Sequence, residues 1–506
     1  MVEGKYRHRF HIQPPQGWMN DPNGSCYYNG KYHIFFQYSP NSPLGSGGRF
    51  WGHYVSDDLA HFTFVDTPIV TDTEWDSDGA YSGTAYTADG VMEIYYTGNV
   101  KHPGNFDYIN EGRGHNVIRV DFEDGIHPGE KQLLLTNDDY PSDLSCHVRD
   151  PKVWRESVTQ KSGKDTAYYM LLGMRSRASK GGLLLMKSDD RKDWQVAREY
   201  FPKDDFGFML ECPDYFTADG VQAVAFCPQG MMHHKNRFQN VYESGYCILD
   251  DSKRKPYQAL IASEDKQQRT SDILFDGLEN TDSDVLDELI SIDNFHEWDM
   301  GFDFYAPQTF TAPDGRQILI GWAGMPDAEY GNDPAIAEGW QHSLTLPREI
   351  RYRKEKFYTT PVKEFELRRG KKITDFSKEE KSATEAISGN GFECDLKTGA
   401  WDVEMSINAA DDGLLFMLNN DVQLLVKDGI VSLIFSGNKG CGRTERHAEL
   451  MDGRVSNVRA IFDRSLLEIY INDGEVVFTT RYYPDNPDMI HFRTECADSA
   501  AGWLVI

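Results

Sequence analysis

The chain has 506 residues, and its 80 Asp and Glu outnumber 52 Lys and Arg to leave a formal net charge of −28. A surplus of that sign, with no basic stripe to offset it, excludes nucleic acid and anionic membrane surfaces as expected partners. Apolar residues at 40% and aromatics at 13% suffice for a large core, while no run approaches the roughly 18 apolar residues of a bilayer span, so a soluble globular protein of several units is expected.

The opening stretch, MVEGKYRHRFHIQPP, is basic and polar with no apolar segment behind it, which predicts a cytoplasmic location. Eight cysteines lie far apart with no CxxC pair, and reduced, mostly buried thiols are expected rather than a zinc ribbon or a disulfide framework. Along the chain, short β-branched and aromatic runs alternate with Gly, Asn, Asp and Pro, and helical periodicity is nearly absent, so the fold class is all-β. Five runs read as fully buried strands: 34–38, 94–98, 168–172, 221–226 and 318–322.

Each run is preceded by a turn segment carrying an acid, namely Asp21, Asp78, Asp150, Glu211 and Asp303, at intervals of 57, 72, 61 and 92 residues. Such a period suits a four-stranded meander repeated five times, the arrangement by which a β-propeller closes into a ring; a generic series of sandwich strands is the alternative. The last interval holds an acidic stretch, 262–298, that reads as an inserted loop or short helix. Asp282, Asp284, Asp287 and Glu288 within it lack the glycine of a calcium loop, so no metal is expected there.

Past residue 352 the pattern changes: a basic connector at 353–372 leads into evenly alternating strands over 373–506, including 466–471 feeding the turn Asn472-Asp473-Gly474-Glu475. These predict an antiparallel β-sandwich after a five-bladed propeller over 1–352. The sandwich carries no residue of catalytic character; shielding a propeller flank and forming a homodimer are the two roles open to it.

A propeller turns equivalent inner positions toward one axial depression, where acids distant in sequence converge. Asp21 and Asp150 each precede proline and Glu211 lies two before one; an acid before proline is expected to be extended, which aims its carboxylate. Carboxylates converging beside aromatic rings suit glycosidic bond cleavage, in which one carboxyl donates a proton and another attacks or activates water. Trp18, Phe50, Trp51, Tyr81, Tyr305 and Trp340 could offer ring faces to a sugar.

The ordered set WMNDPNG, FFQY, WGH, YSGTA, RDP, ECP and LPRE resembles the β-fructosidases of glycoside hydrolase family 32, over nearly the whole chain. The resemblance implies a five-bladed propeller followed by a sandwich, and hydrolysis of a β-fructofuranosyl bond with retention and without cofactor or metal. It implies Asp21 as nucleophile, Glu211 as general acid/base and Asp150 as transition-state stabiliser, with Asn20, Gln37, Trp51, Ser82 and Tyr305 around the fructosyl unit. Tyr81 stands where that family commonly has Phe. A carboxylate separation of about 5–5.5 Å would accompany retention, ionised Asp21 and Asp150 would raise the Glu211 pKa, and Arg149 would balance the cluster's charge. A small-molecule carbohydrate is thus the expected partner: sucrose or sucrose-6-phosphate, with exo-acting fructanase, fructosyltransferase or non-catalytic sugar binding as alternatives. His233, His234, Lys235 and Arg237, the one local basic cluster near the propeller face, are expected either to be a solvated loop or to receive a substrate phosphate.

Overall fold

The computed structural model describes residues 4–160, 163–250, 277–377, 391–410 and 412–506. Residues 17–361 build five antiparallel sheets of four strands each, and one two-residue strand, Trp340–Gln341, leaves the fifth repeat to pair in parallel with Gly17 and Trp18 of the first sheet. The opening strands of the sheets are Gly17–Tyr28, Ala80–Ala88, Leu144–Gln160, Met209–Ala218 and Tyr305–Thr311. They touch in cyclic order, the last against the first, so the sheets stand as a ring around one axis.

The second strand of each sheet explains why the buried runs read as continuous. Ile34 and Phe36 pack toward the fifth sheet with Phe310 and Ile318, whereas Phe35 packs toward the second with Ile94 and Tyr96. Tyr95 then joins Met170 and Leu172 of the third sheet, and Tyr169 and Leu171 join Val224 and Phe226 of the fourth. A strand buried on both faces loses the apolar/polar alternation that one wet face would impose.

All five opening strands carry a one-residue bulge at the same height. Between Met19 and Pro22, Ala80 and Gly83, Arg149 and Lys152, Glu211 and Asp214, and Tyr305 and Gln308, two residues face one on the partner strand. Proline follows or occupies four of these bulges, where no ladder hydrogen bond is required of it. Asp150, Cys212 and Ala306, each directly before proline, have φ of 65°, 46° and 46°. The expectation that Asp150 is extended is therefore corrected: the bulge imposes left-handed backbone, at a cost on the order of 1–3 kcal/mol per residue. Compensation comes from the Asp150 N–H donating to Thr97 Oγ1 at 2.9 Å and the Cys212 N–H donating to Asp150 Oδ2 at 2.9 Å.

Lys356–Pro361, which the sequence pattern places in the connector, is the outer strand of the fifth sheet, paired with Arg348–Arg353. A 3-10 turn at Lys363–Arg368 then leads into two six-stranded antiparallel sheets packed around Trp401, Leu424, Leu433, Phe462, Ile469 and Phe492. The expected hairpin joins Leu466–Ile471 to Val476–Arg481. In the acidic stretch, residues up to 276 lie outside the described residues. From Gly277 onward two short helices, Gly277–Asn280 and Ser283–Leu289, lodge Leu278, Leu286 and Leu289 in the core between the third and fourth sheets. Asp282 caps the second of these helices. Among the described residues no helix is long and apolar enough to cross a membrane.

Buried charge joins the sandwich to the propeller. Arg348 donates to Glu468 Oε2 at 2.7 Å and to Asp299 Oδ2 at 2.9 Å, all three side chains being inaccessible to solvent. His11 bridges Asp463 Oδ2 and Glu468 Oε1, both at 2.9 Å, while His8 accepts from Arg481 Nη1 at 2.7 Å. His8, His11 and Asp463 cluster closely enough to suggest a metal, but both nitrogens of each ring are already engaged with protein atoms.

Replacing Arg348 with Met leaves Asp299 buried without its counter-charge and Glu468 with His11 alone, and is expected to cost about 3–5 kcal/mol, seen as a lower urea midpoint of the full chain. The interface also sets a pH window. Despite burial, Arg348 and His11 hold Glu468 down at about 2, so its contribution is complete above its ordinary 4.5 and disappears as pH falls through the depressed value. His11 loses charge on burial but is driven above its ordinary 6.5 by Asp463 and Glu468, so its contribution is complete below 6.5 and disappears as pH rises through the raised value. The midpoint is expected to fall on the alkaline side in the wild type, and His11→Asn should flatten that fall.

Candidate active site

The bulges decide where the site lies. Asp21, Ser82 and Asp150 sit within them, and Glu211 and Tyr305 immediately before them, so all five opening strands send a polar side chain into one axial pocket. Of the five acids marked by the repeat, three converge. Asp78 is exposed in the loop before the second sheet and accepts the Lys101 N–H. Asp303 is buried against the sandwich, gripped at both oxygens by Arg443 at 2.6 and 2.7 Å. Tyr305 takes the place of an acid in the fifth sheet.

Asp21 lies at the floor. Its Oδ1 accepts from Asn20 Nδ2 at 3.1 Å and its Oδ2 from the Ser82 hydroxyl. Gln37 closes the circuit, accepting from Asn20 Nδ2 at 2.6 Å and donating to Ser82 Oγ at 2.7 Å. Burial pushes the Asp21 carboxyl above its ordinary range; the Ser82 hydroxyl pulls it back and the Glu211 charge pushes it further up.

Glu211 is held at both oxygens. Arg149 Nη2 donates to Oε1 at 2.6 Å, while Gln229 Nε2 and the Tyr305 hydroxyl donate to Oε2, each at 2.8 Å. Asp150 is 6% exposed, and burial drives its carboxyl upward against the pull of Arg149, with the Glu211 and Asp21 charges adding to the rise. Arg149 thus serves two of the three carboxylates, and repulsion among the three favours holding a proton within the cluster. The buried thiol of Cys212, beside Asp150 and Asp21, is pushed well up by burial and then by their charges, and stays a neutral thiol.

Trp51 does not join the wall. It is fully buried between the first and second sheets, tilted against Phe35 and Tyr96, and donates from Nε1 to the Tyr81 carbonyl at 3.1 Å. Its part is to back Tyr81, which does line the pocket. Trp340 is likewise buried, against the ring of His8. The aromatic side is built instead from Trp18 and Trp322, with the buried ring of His342 packed behind them, edge-on to Trp18 at 4.4 Å.

Sequence reasoning missed Arg49, Arg113, His147, Gln229 and Asp327, all of which line the pocket. Gln229 closes the second strand of the fourth sheet, and Gln37 lies two residues from the end of that of the first, a signal that was available. Arg49 and Arg113 come from strand ends beside loops and carry no such mark. The basic cluster at 233–237 is dispersed: Arg237 is buried, donating to the carbonyl oxygens of Phe295 and Ile292, and Lys235 is exposed away from the pocket.

The chain matches the models of the glycosyl hydrolases family 32 N-terminal domain over residues 11–361 and C-terminal domain over 365–501. It is 30% identical to sucrose-6-phosphate hydrolase of Bacillus subtilis (strain 168) across 95% of this chain and 89% of that protein. It is also 30% identical to raffinose invertase of Escherichia coli, across 94% of this chain and 89% of that one. Among solved structures, sucrose-6-phosphate hydrolase from Lactobacillus gasseri superposes with a TM-score of 0.78 at 26% identity, covering 99% of this chain and 93% of that one. With two family domains in order, a ring of sheets and a pocket of converging carboxylates, the chain belongs to glycosyl hydrolase family 32.

Proposed function

We propose that this glycoside hydrolase cleaves the terminal β-fructofuranosyl bond of sucrose or sucrose-6-phosphate, with retention, through a covalent fructosyl-enzyme. The observation that carries the reading is the meeting of Asp21, Asp150 and Glu211 in one pocket, with Asp21 and Glu211 held by separate hydrogen-bond sets. The relatives named sucrose-6-phosphate hydrolase and raffinose invertase support the choice of fructoside.

In this reading an Asp21 oxygen attacks the anomeric carbon of the fructosyl unit as its bond to the glycosidic oxygen breaks. Glu211 gives its proton to that oxygen, and the leaving sugar departs as an alcohol. Glu211, now ionised, takes a proton from water, whose oxygen attacks the same carbon and releases Asp21 as carboxylate with fructose as product. Two inversions give net retention. Asp150, the most enclosed of the three, accepts hydrogen bonds from fructose hydroxyls and stabilises positive charge at the ring. Asn20 and Gln37, whose amides both donate and accept, serve the remaining hydroxyls.

Glu211→Gln keeps the shape and removes the transferable proton, so fructose release from sucrose is expected to fall about 10²- to 10⁴-fold, and NMR of the wild-type reaction should show β-fructofuranose forming first. Full activity in Glu211→Gln, or inverted product, would sink the mechanism. Tyr305→Phe removes one donor from Glu211 and is expected to lower kcat/KM about 10- to 100-fold. Asp21 must be ionised to attack, so the acid limb of the pH–rate profile is set by its raised pKa. Because the Ser82 hydroxyl counteracts that rise, Ser82→Ala should move the acid limb to higher pH; an unmoved limb would detach Asp21 from it.

A further inference from the structure

Three arginines reach the pocket, and they differ in what answers their charge. Arg149 is committed to Glu211 and to His147 Nδ1, the latter at 2.7 Å. Arg49 donates to Asn20 Oδ1 at 3.1 Å and lies 6.0 Å over the Trp18 ring. Arg113 donates from Nη1 to Asn99 Oδ1 at 3.0 Å, its Nε has no acceptor, and among the described residues no carboxylate pairs with it. Where acids outnumber Lys and Arg by 80 to 52, an arginine on a pocket wall left to a single amide oxygen is conspicuous.

Its position along the wall matters. Arg149 spans Glu211 and His147, and His147 in turn lies beside Arg113, so the four run in line from Glu211 on the fourth sheet, across the third, to Arg113 on the second. His147 cannot supply an anion, and burial followed by the Arg149 and Arg113 charges keeps it neutral. Asp327, the pocket's remaining acid, comes from the fifth repeat and is tied to the Tyr242 hydroxyl at 3.0 Å. Since Glu211 protonates the oxygen of the departing sugar, the wall running outward from it faces that sugar.

We infer that Arg113 recognises a phosphate ester on the leaving sugar, so that the preferred substrate is a phosphorylated fructoside. This rests on the fructosidase reading above. A guanidinium anchored at one nitrogen keeps further N–H groups to pair with phosphate oxygens in a fixed plane, and Asp327 repels the phosphate toward the Arg113 side.

The test is kcat/KM on sucrose and sucrose-6-phosphate for wild type, Arg113→Gln, Arg113→Lys and Arg49→Gln, with glucose 6-phosphate and glucose compared as inhibitors of sucrose hydrolysis. The wild type is expected to favour the phosphorylated disaccharide, and Arg113→Gln to cut that ratio about 10- to 100-fold. Arg113→Lys should restore part of the ratio, and glucose 6-phosphate should lose its advantage over glucose as inhibitor in Arg113→Gln. A wild type indifferent to the phosphate, equal losses on both disaccharides in Arg113→Gln, or collapse of the ratio only in Arg49→Gln overturns the assignment of Arg113 alone. A wild type that cleaves neither disaccharide overturns the reaction and the assignment with it.

Discussion

One guanidinium, that of Arg149, serves two of the three central carboxylates directly, and the arrangement of the pocket follows from that uneven pairing. Arg149 bonds Glu211 directly and approaches Asp150 to 3.9 Å, while Asp21 depends on neutral donors from Asn20 and Ser82. A buried carboxylate without a paired cation survives only where hydrogen bonds replace its hydration. The Asn20–Gln37–Ser82 circuit is therefore a condition for Asp21 to carry charge at all, and the polar residues around the floor are as much support as sugar ligands.

The same physics operates on a larger scale between the domains. Arg348, Arg443 and His11 bring charge into the dry interface, and each meets carboxylates there. The Arg443 grip on Asp303 is the telling case, because Asp303 opens the fifth repeat and stands only two residues before Tyr305. In the repeat that lies nearest the sandwich, the acid has become part of domain attachment, and the phenol next to it faces Glu211. The sandwich thus reaches the pocket through two residues of backbone.

Much of this was legible in the sequence because it rests on local chemistry. Buried runs without alternation marked strands covered on both faces, and turn segments with acids marked the repeat. The motifs around Asp21, Asp150 and Glu211 placed these residues together, as the structure does. What was not legible depended on tertiary choices. Trp51 and Tyr81 are both aromatic and adjacent to the site, and only the packing of the first sheet on the second decides which is wall and which is backing. Asp78 and Asp303 carry the same repeat signal as their neighbours but belong to a loop and an interface. Arg113 sits at the start of the third strand of the second sheet in a polar surrounding, where nothing in the local pattern distinguishes it from a surface residue. The left-handed backbone at Asp150 defeats the ordinary preference of residues before proline, because two hydrogen bonds specific to this fold hold it there.

The repeated bulges have a consequence for how such a chain can vary in length. Side chains along a strand alternate between faces, so inserting one residue reverses the parity of everything beyond it. Each opening strand therefore has two halves of opposite phase, one that lines the pocket and one that fills the seam between sheets. Losing a single residue from any one of these five points would put both halves in the same phase and turn the lower half's core side chains toward the axis. Loops between strands can lengthen or shorten without such a penalty, so the inner ring is the part of the molecule in which length, as distinct from residue identity, is constrained.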